Sequence, residues 1–384
     1  MEDIIPYYNL CTTCGTCRVE CTIFKIKKLD SFSPRARVMI SGLLIQDKLD
    51  LNSSPKTIES IFTCTLCSMC ENMCPSGVDV PKVVKSIRNY LLEKEKNPKP
   101  VSSLIETVKQ TKNIFNLDND DRLDWSDEVE DIVKDKINKK SEVAFYVGCQ
   151  ESFKGSLFMI PEAMVKIMNK AGIDFTLLGG DEWCCGNPTF LVGDQSDQIK
   201  ELVKHNVEKM ESLGVKKIIM TCPGCYRAWT KEYPKILGVK KLPFELLHST
   251  ELIAGLIKEG KIKITKDLKK KIGYQDPCEL GRISGIFSEP REIINNIPSS
   301  EFIELEANKM EATCCGGGGL CKASYDQVST AIASNKIDEF IKAGVEVLTT
   351  ACPACYDNLA TALNGKENIK LQDLHELITE LMEE

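Results

Sequence analysis

The sequence predicts an α+β protein of several domains, in which a helical N-terminal region is followed by two tandem copies of one α/β domain. Three observations predict this organisation. The chain has 384 residues, more than one domain usually holds. Its first quarter contains two cysteine runs of identical spacing, and the remainder contains ten cysteines in two matching sets. Apolar stretches that are typical of buried strands lead into several cysteines of these sets.

The composition is that of a soluble globular protein, with 42% hydrophobic and 27% charged residues. The net charge of −7, with both signs mixed along the chain, argues against nucleic acid as a partner. The N-terminal residues MEDIIPYYNLC lack the basic and apolar regions of a signal peptide, and no apolar run approaches the roughly 18 residues of a membrane span. We therefore expect a cytoplasmic protein, or one that docks at the inner face of a membrane through a partner.

The chain has 19 cysteines, which is an odd number in tight and repeated spacings. A reducing compartment does not favour a disulfide framework, so metal binding is the better interpretation. Residues 11–21 (CTTCGTCRVEC) and 64–75 (CTLCSMCENMCP) share the spacing C-x2-C-x2-C-x3-C. This is the signature of bacterial two-cluster ferredoxins, in which the fourth cysteine of each run binds the other cluster. The runs predict two cubane [4Fe–4S] clusters, one bound by Cys11, Cys14, Cys17 and Cys74 and one by Cys64, Cys67, Cys70 and Cys21.

Zinc is the alternative to these cubane clusters, but it would not use three closely spaced thiolates with an exchanged fourth. Thr22 stands where ferredoxins carry proline, although proline is not a ligand. The long stretch 22–63 between the runs indicates the helical ferredoxin type of dehydrogenase electron-transfer subunits. We expect residues 1–100 to relay single electrons.

The polar and acidic stretch 101–140 is predicted to be a linker, because its charge runs are typical of solvated helix faces. The α/β copies are predicted over 141–265 and 266–384. Each cysteine of the second copy follows its counterpart in the first by 129 or 130 residues, and GVKKIIMTCPGCYRAWT at 214–230 matches GVEVLTTACPACYDNLA at 344–360. The simplest account is a pair of domains related by a pseudo-twofold axis. The first set is Cys149, Cys184, Cys185, Cys222 and Cys225, and the second is Cys278, Cys314, Cys315, Cys352 and Cys355.

In each copy the cysteines fall where strands are predicted to end and helices to begin. Ligands gather at the carboxyl ends of parallel strands, and helix N-termini favour the negative charge of a thiolate-bound cluster. We therefore expect the five cysteines of each copy to converge on one metal site. Five thiolates exceed what a cubane cluster or a zinc ion needs, and adjacent pairs such as Cys184–Cys185 suit a bridging role between irons.

The pattern C-x(n)-C-C-G-x(n)-C-P-x-C, present twice, resembles the CCG domain of heterodisulfide reductases. Together with CTTCGTC, CTLCSMCENMCPSG, LGGDEWCCG, YQDPCELGR and CCGGGG, it makes nearly the full chain similar to the D-type subunits of these enzymes. The resemblance implies that each set holds a noncubane [4Fe–4S] cluster. It also implies that the disulfide of coenzyme M and coenzyme B is cleaved between the two clusters, and that the pairs Cys184–Cys185 and Cys314–Cys315 include bridging ligands. Both sets are complete, which favours disulfide chemistry.

The chain departs from the family pattern in YQDPCELGR, where Gln275 and Glu279 replace histidines. Glu279 is the candidate proton donor for a departing thiolate, and pairing of Glu279 with Arg282 is the alternative. Arg282, Lys322 and Lys154 lie near set cysteines and could meet a sulfonate or phosphate, or the charge of a cluster.

Three further features receive structural interpretations. Cys321 lies outside both sets and is predicted to be an incidental thiol. The glycines at 316–319 are predicted to let the backbone crowd a cluster, and His205 to be structural.

Two functions stay open on the sequence. One is an enzyme that reduces a small disulfide with electrons from a partner, which the resemblance predicts to be a membrane cytochrome b or a soluble flavoprotein or hydrogenase-type module. The other is a non-catalytic iron–sulfur subunit that serves a flavoprotein dehydrogenase of the glycolate, lactate or glycerol-3-phosphate type. The chain has no G-x-G-x-x-G after a predicted strand, which argues against flavin or nicotinamide binding here, so its electrons must come from another protein.

Overall fold

The computed structural model describes residues 1–383, and its N-terminal region is helical as predicted. Proline at the start of several helices and side-chain caps such as Asp79, which accepts from the Lys82 N–H at 2.8 Å, fix where these helices begin. Val83, Ile87 and Leu91 recur every four residues on one helix and are fully buried, so that face forms the centre of the region. The helices are α1 (Ile5–Leu10), α2 (Thr22–Lys27), α3 (Pro34–Ile45), α4 (Pro55–Phe62), α5 (Met69–Asn72) and α6 (Val80–Glu93).

The stretch predicted as a linker contains α7 (Lys99–Thr111), a 3-10 helix over Asn119–Val129 and α8 (Glu130–Val133). Trp125, Val129 and Val133 are buried and belong to the same hydrophobic core as the first sheet. The charges around these three apolar residues dominate the local pattern, and their four-residue spacing is the signal that could have predicted their burial. How the chain divides into independent folding units stays a prediction.

The first repeat (141–265) is built on a parallel sheet in the order β1-β2-β3, with Phe145 beside Ile219 and Ile219 beside Leu247. Parallel neighbours require crossover connections, and helices supply them here. The strands are β1 (Val143–Tyr146), β2 (Lys217–Met220) and β3 (Glu245–His248), and the helices are α9 (Cys149–Phe153), α10 (Met159–Lys170), α11 (Asn187–Phe190), α12 (Asp197–Ser212), α13 (Pro223–Arg227), α14 (Tyr233–Leu237) and α15 (Ser249–Lys258).

The second repeat, described over 266–383, has a parallel sheet in the order β5-β4-β6-β7. Strands β4, β6 and β7 take the places of β1, β2 and β3, which confirms the predicted α/β copies. The additional strand β5 adjoins β4, where the first repeat has a single bridge between Ala144 and Thr176. The strands are β4 (Lys271–Tyr274), β5 (Glu301–Ile303), β6 (Val347–Thr350) and β7 (Lys370–Asp373), and the helices are α16 (Ser288–Asn295), α17 (Cys321–Ser324), α18 (Asp326–Lys342), α19 (Pro353–Thr361) and α20 (Leu374–Leu381).

The two repeats share one hydrophobic core, which contains Ile253 of the first and Ile378 of the second. A buried polar contact also joins them: Ser249 Oγ lies 2.6 Å from His375 Nε2, and His375 Nδ1 lies 2.7 Å from Asp373 Oδ1. Ser249 and His375 belong to the first turns of α15 and α20, which occupy equivalent positions in the two copies. The helix starts of the two copies therefore meet at the centre of the pair.

Within residues 1–383, none of the helices combines the length and the apolar character that crossing a membrane requires.

Candidate metal centres

The first three cysteines of the N-terminal run, Cys11, Cys14 and Cys17, line one small cavity together with Cys74. Cys11 ends α1, and Gly15, with φ +84°, turns the chain so that Cys14 and Cys17 face the same space. The fourth cysteine of the second run thus lies with three cysteines of the first. Thiolates are the ligands of iron–sulfur clusters, so this donor set fits a cluster with an exchanged fourth ligand.

The second group consists of Cys64, Cys67 and Cys70 together with Cys21. Burial raises the pKa of Cys70 well above its usual value, and the negative charges of Cys64, Cys67 and Cys21 raise it further. Four thiols that oppose one another's ionisation in a buried place need a positive partner, which iron provides when it binds thiolates.

Arg37 of α3 is a buried cation beside this second group. Its Nε donates to the Ser60 carbonyl at 2.9 Å, and its Nη2 has no hydrogen-bond partner among the described residues. Burial lowers the pKa of Arg37, but the thiolates of Cys64 and Cys21 raise it more, so the guanidinium stays charged. A buried cation with an unused donor fits the negative charge of a thiolate-bound cluster. No local pattern in the sequence singles out Arg37, so this residue was not predicted.

Arg88 of α6 ties the Cys64 loop to the first repeat. It is fully buried and donates from Nη2 to the carbonyls of Cys64 at 2.7 Å and Ile61 at 3.0 Å, and from Nη1 to that of Leu191 at 3.3 Å. Burial lowers the pKa of Arg88 to about 10. Arg88 therefore holds the second cysteine group against the first repeat.

The structure brings all five cysteines of the first repeat to one cavity of about 70 Å³, the convergence expected from their positions after strands. Cys149 begins α9 just beyond β1, and Cys222 caps α13 just beyond β2. The pKa of Cys149 is raised well above its usual value, first by its hydrogen bond with Cys184 and then by burial. The cavity is lined by Cys149, Cys184, Cys185, Cys222 and Cys225.

Arg122, in the stretch predicted as a linker, reaches into this first set. Its Nη2 lies 3.3 Å from Cys149 Sγ, and its Nη1 lies 2.9 Å from Glu182 Oε1. Glu182 in turn accepts hydrogen bonds from the backbone N–H groups of Val147 and Gly148. Both charged side chains are buried, so Arg122 and Glu182 form a buried ion pair against one cysteine of the first set. This pair was not predicted, because Arg122 lies among acidic residues whose pattern is that of a solvated segment.

Glu151 also lines the first cavity and was not predicted from the sequence. It accepts a hydrogen bond from the Thr221 hydroxyl at 2.5 Å, while its second oxygen has no partner among the described residues. Burial and then the charge of Cys222 raise the pKa of Glu151 well above its usual value. The first set therefore has a buried carboxyl group at its edge.

The cysteines of the second set also lie together. Cys315 Sγ is 3.1 Å from Cys355 Sγ, and Cys352 packs with both. The pKa of Cys278 is raised well above its usual value, first by its hydrogen bond with Cys314. The adjacent pair Cys314–Cys315 thus joins the two halves of the set, since one member contacts Cys278 and the other Cys355.

The second set adjoins the second N-terminal group. The pKa of Cys67 is raised well above its usual value, first by its hydrogen bond with Cys314. Arg282 donates to the Cys67 carbonyl at 2.6 Å, so a residue next to the second set holds the loop of the N-terminal region. Cys67 and Cys314 therefore bring the second N-terminal group and the second set into contact.

The glycines at 316–319 provide this close approach. Gly319 has φ +62°, and a Cβ on it would lie 2.4 Å from the Thr65 carbonyl carbon and 2.6 Å from the Cys64 carbonyl oxygen. The predicted crowding is therefore against the backbone of the neighbouring cysteine loop. Only glycine fits both this conformation and this distance.

We expect Gly319→Ala to separate the second set from the Cys64–Cys67 loop. The added Cβ would overlap with backbone atoms, which cannot move aside as a flexible side chain can. The variant should lose part of its cluster content, and electron transfer between the two centres should slow by about tenfold or more. Rapid-freeze electron paramagnetic resonance after mixing with a reduced dye measures this transfer. Gly365→Ala is the matched control, since Gly365 also has a positive φ of +76° but has open space around it. Equal transfer rates in both variants would contradict the role of Gly319 in bringing the two centres together.

The structure pairs Glu279 with Arg227 of the first repeat, Nε to Oε1 at 3.0 Å, and not with Arg282. Lys154 and Lys322 both bind Asp357, the latter at 2.6 Å. Arg227 and Asp357 each stand two residues after the last cysteine of their set. Two ion pairs thus bridge the repeats, and in both of them the cation belongs to the first repeat and the carboxylate to the second.

Two remaining predictions concern single side chains. Cys321 is fully buried in an apolar cluster with Ile23 and Phe32. His205 stacks on Trp183 with ring centroids 3.6 Å apart, which supports a structural role.

Comparisons with known proteins match these regions to two families. The cysteine-rich domain family CCG matches residues 143–228 and 272–360, and the 4Fe-4S dicluster domain family matches residues 7–78. The chain is 32% identical to the D-type subunit of the dihydromethanophenazine:CoB–CoM heterodisulfide reductase of Methanosarcina acetivorans, over 97% of this chain and 93% of the relative. The corresponding protein of Methanosarcina barkeri is 31% identical over 97% and 94%.

A second kind of relative is the EtfAB:quinone oxidoreductase of Syntrophomonas wolfei. It is 32% identical over 85% of this chain, and the match covers 47% of its own length. The chain therefore spans about half the length of that relative.

Proposed function

The chain belongs to the family of heterodisulfide reductase D-type subunits, which are iron–sulfur oxidoreductase subunits, and from this membership we propose that it cleaves a small disulfide of the coenzyme M–coenzyme B type. The matched domains support [4Fe–4S] cofactors. We further propose two cubane clusters in the N-terminal region and two noncubane clusters in the repeats. Bound there, the clusters would supply single electrons, and a disulfide needs two.

The observation that carries this proposal is the presence of two complete five-cysteine sets in repeats that face each other. A non-catalytic relay needs one path of centres, whereas a disulfide offers two sulfurs that each need a partner. The pairs Arg227–Glu279 and Lys154–Asp357 cross from one repeat to the other beside the sets. They support a substrate position between the repeats.

The chain's own residues have three tasks in this proposal. Eight of the ten set cysteines are buried, which limits the access of water, and the buried cations Arg37 and Arg122 offset the negative charge of thiolate ligands. The hydrogen bond of Cys67 with Cys314, together with that of Arg282 to the Cys67 carbonyl, offers electrons that arrive through the N-terminal region a route into the second repeat. That Glu279 donates the proton to a departing thiolate stays a prediction, as does the donor protein, a membrane cytochrome b or a soluble flavoprotein or hydrogenase-type module.

The exchanged ligands give a prediction with paired variants. We expect Cys74→Ser to remove the signal of the cluster at Cys11–Cys17, and Cys21→Ser to remove that of the cluster at Cys64–Cys70, because each cluster needs its fourth thiolate. Electron paramagnetic resonance of the reduced proteins separates the two signals. Loss of the cluster nearer in sequence in each variant would show that the fourth ligands are not exchanged.

The function is tested with protein that carries all its clusters and has been reduced by a dye without any partner. The coenzyme M–coenzyme B disulfide, and a panel of other small disulfides, should reoxidise the protein and release two thiols per two electrons. The proposal fails if no disulfide in the panel reoxidises protein whose clusters are intact.

The second candidate is an electron-transfer subunit, which the similarity to the EtfAB:quinone oxidoreductase supports. It predicts that the reduced chain passes electrons to a quinone or a dye but releases no thiol from any disulfide. Adding a soluble quinone to the same reduced protein separates the two candidates.

A further inference from the structure

The N-terminal cysteine groups differ in their access to solvent. Cys14 is the one exposed cysteine of the described residues, whereas Cys64 is buried. The neighbours of Cys14 in the chain, Thr12, Thr13 and Thr16, are exposed as well. Electron transfer between proteins requires that two redox centres come close, so an exposed ligand loop is the place where an external donor can approach.

Two arginines stand at this loop. A Cβ on Gly15 would lie 3.2 Å from Arg18 Nε and 3.3 Å from Arg35 Nη1, so both guanidinium groups lie directly against the loop. Both arginines pair with the carboxylate of Asp30: Arg18 Nη1 lies 3.2 Å from Oδ1, and Arg35 Nη2 lies 3.0 Å from Oδ2. Arg35 also donates to the Thr13 carbonyl at 3.1 Å. The loop therefore carries more positive than negative charge.

The sequence around this loop is also positively charged. Apart from the buried Arg37, residues 11–37 contain five arginines and lysines and two acidic residues, in a chain whose net charge is −7. Exposed apolar side chains adjoin the loop in the chain, since Leu10 next to Cys11 is 49% exposed and Val19 next to Arg18 is 59% exposed. A basic rim with exposed apolar residues is typical of a docking surface.

We propose that the face formed by Leu10, Cys14, Arg18, Val19 and Arg35 docks an electron-donating protein whose own redox centre is surrounded by acidic residues. The inference rests on the proposed function, because it needs a cluster at Cys11, Cys14, Cys17 and Cys74. Arg18 and Arg35 supply the positive charge, and Val19 and Leu10 supply apolar contact. An anionic membrane would also attract this charge, but it offers no electron at its surface.

The test compares Val19→Glu with Val19→Lys, which remove the same apolar contact and differ in charge. A reduced acidic two-[4Fe–4S] ferredoxin serves as the probe donor, and a reduced dye as the small donor. At low ionic strength the ferredoxin should reduce the Lys variant about tenfold faster than the Glu variant, and salt should remove the difference. The dye should reduce both at one rate. Val239→Glu and Val239→Lys are the matched controls, since Val239 is 46% exposed on the first repeat.

The possible outcomes distinguish failure of the docking surface from failure of the cluster ligands. Equal ferredoxin rates for both Val19 variants, with clusters intact by the dye reaction, would overturn the docking proposal alone. Binding of the unmodified chain to vesicles of anionic lipid, weakened by Val19→Glu while the ferredoxin rates stay equal, would assign the face to a membrane and overturn it too. Absence of any dye-reducible cluster at Cys11–Cys17 would overturn the ligand assignment and the docking proposal together.

Discussion

Cys185→Ala and Cys315→Ala should each abolish disulfide cleavage, lowering the rate by at least about a thousandfold. Hydrogen bonds from Cys184 and Cys225 lower the pKa of Cys185, and those from Cys314 and Cys355 lower that of Cys315. Hydrogen bonds with Cys225 and Cys278 likewise lower the pKa of Cys222 and Cys314, and the thiolate is the form that binds metal, so Cys185 and Cys315 are expected to act as metal ligands together with their set. Because a disulfide has two sulfurs, loss of either set leaves one sulfur without a partner.

The measurement is thiol release from a disulfide by dye-reduced protein. The N-terminal clusters should still be reduced by the dye in both variants, since their cysteines are untouched. Cys321→Ala is the matched control, because it removes a buried thiol outside both sets and should keep most of the activity. Turnover that survives in Cys185→Ala or Cys315→Ala, after loss of the corresponding cluster, would contradict the two-sided site.

Arg122→Leu should destabilise the protein by about 3–5 kcal/mol, since it leaves the charge of Glu182 buried without its cation. The two side chains are only 1% and 4% exposed. The first set should also lose metal more readily, because Cys149 loses its 3.3 Å contact with the guanidinium group. Anaerobic unfolding in denaturant, followed together with cluster absorbance, measures both effects.

Two comparisons control this prediction. Glu182→Leu in the Arg122→Leu background should recover much of the lost stability, because no unpaired charge then remains buried. Lys216→Met breaks an ion pair whose side chains are 72% and 71% exposed and should change stability by less than about 1 kcal/mol. A loss of less than about 1 kcal/mol in Arg122→Leu would show that the buried pair does not stabilise the first set.

The sequence predicted the features that depend on spacing. The N-terminal helices, the two α/β copies and the family were confirmed. These features could be predicted because the cysteine spacings and the apolar stretches of the strands repeat along the sequence. The meeting of Cys74 with Cys11 across 63 residues was predictable for the same reason, since the spacing C-x2-C-x2-C-x3-C already implies an exchanged ligand.

The charged residues that surround the centres were not predictable from the sequence. Arg37 and Arg122 lie in segments whose other charges face solvent, and only the tertiary structure shows that these two point inward. Glu279 has Arg282 as its near neighbour in the chain, but the fold brings it to Arg227, 52 positions earlier. Ion-pair partners from different repeats depend on how the repeats pack against each other, and no local sequence pattern predicts that packing.

The claim that one chain binds four [4Fe–4S] clusters is tested most directly by anaerobic analysis of iron and acid-labile sulfide in fully loaded protein. The eight N-terminal cysteines and the ten cysteines of the two sets predict about sixteen irons and about sixteen sulfides per chain. Eight irons or fewer would contradict the claim, because the N-terminal region alone would explain them and the repeats would then hold no clusters.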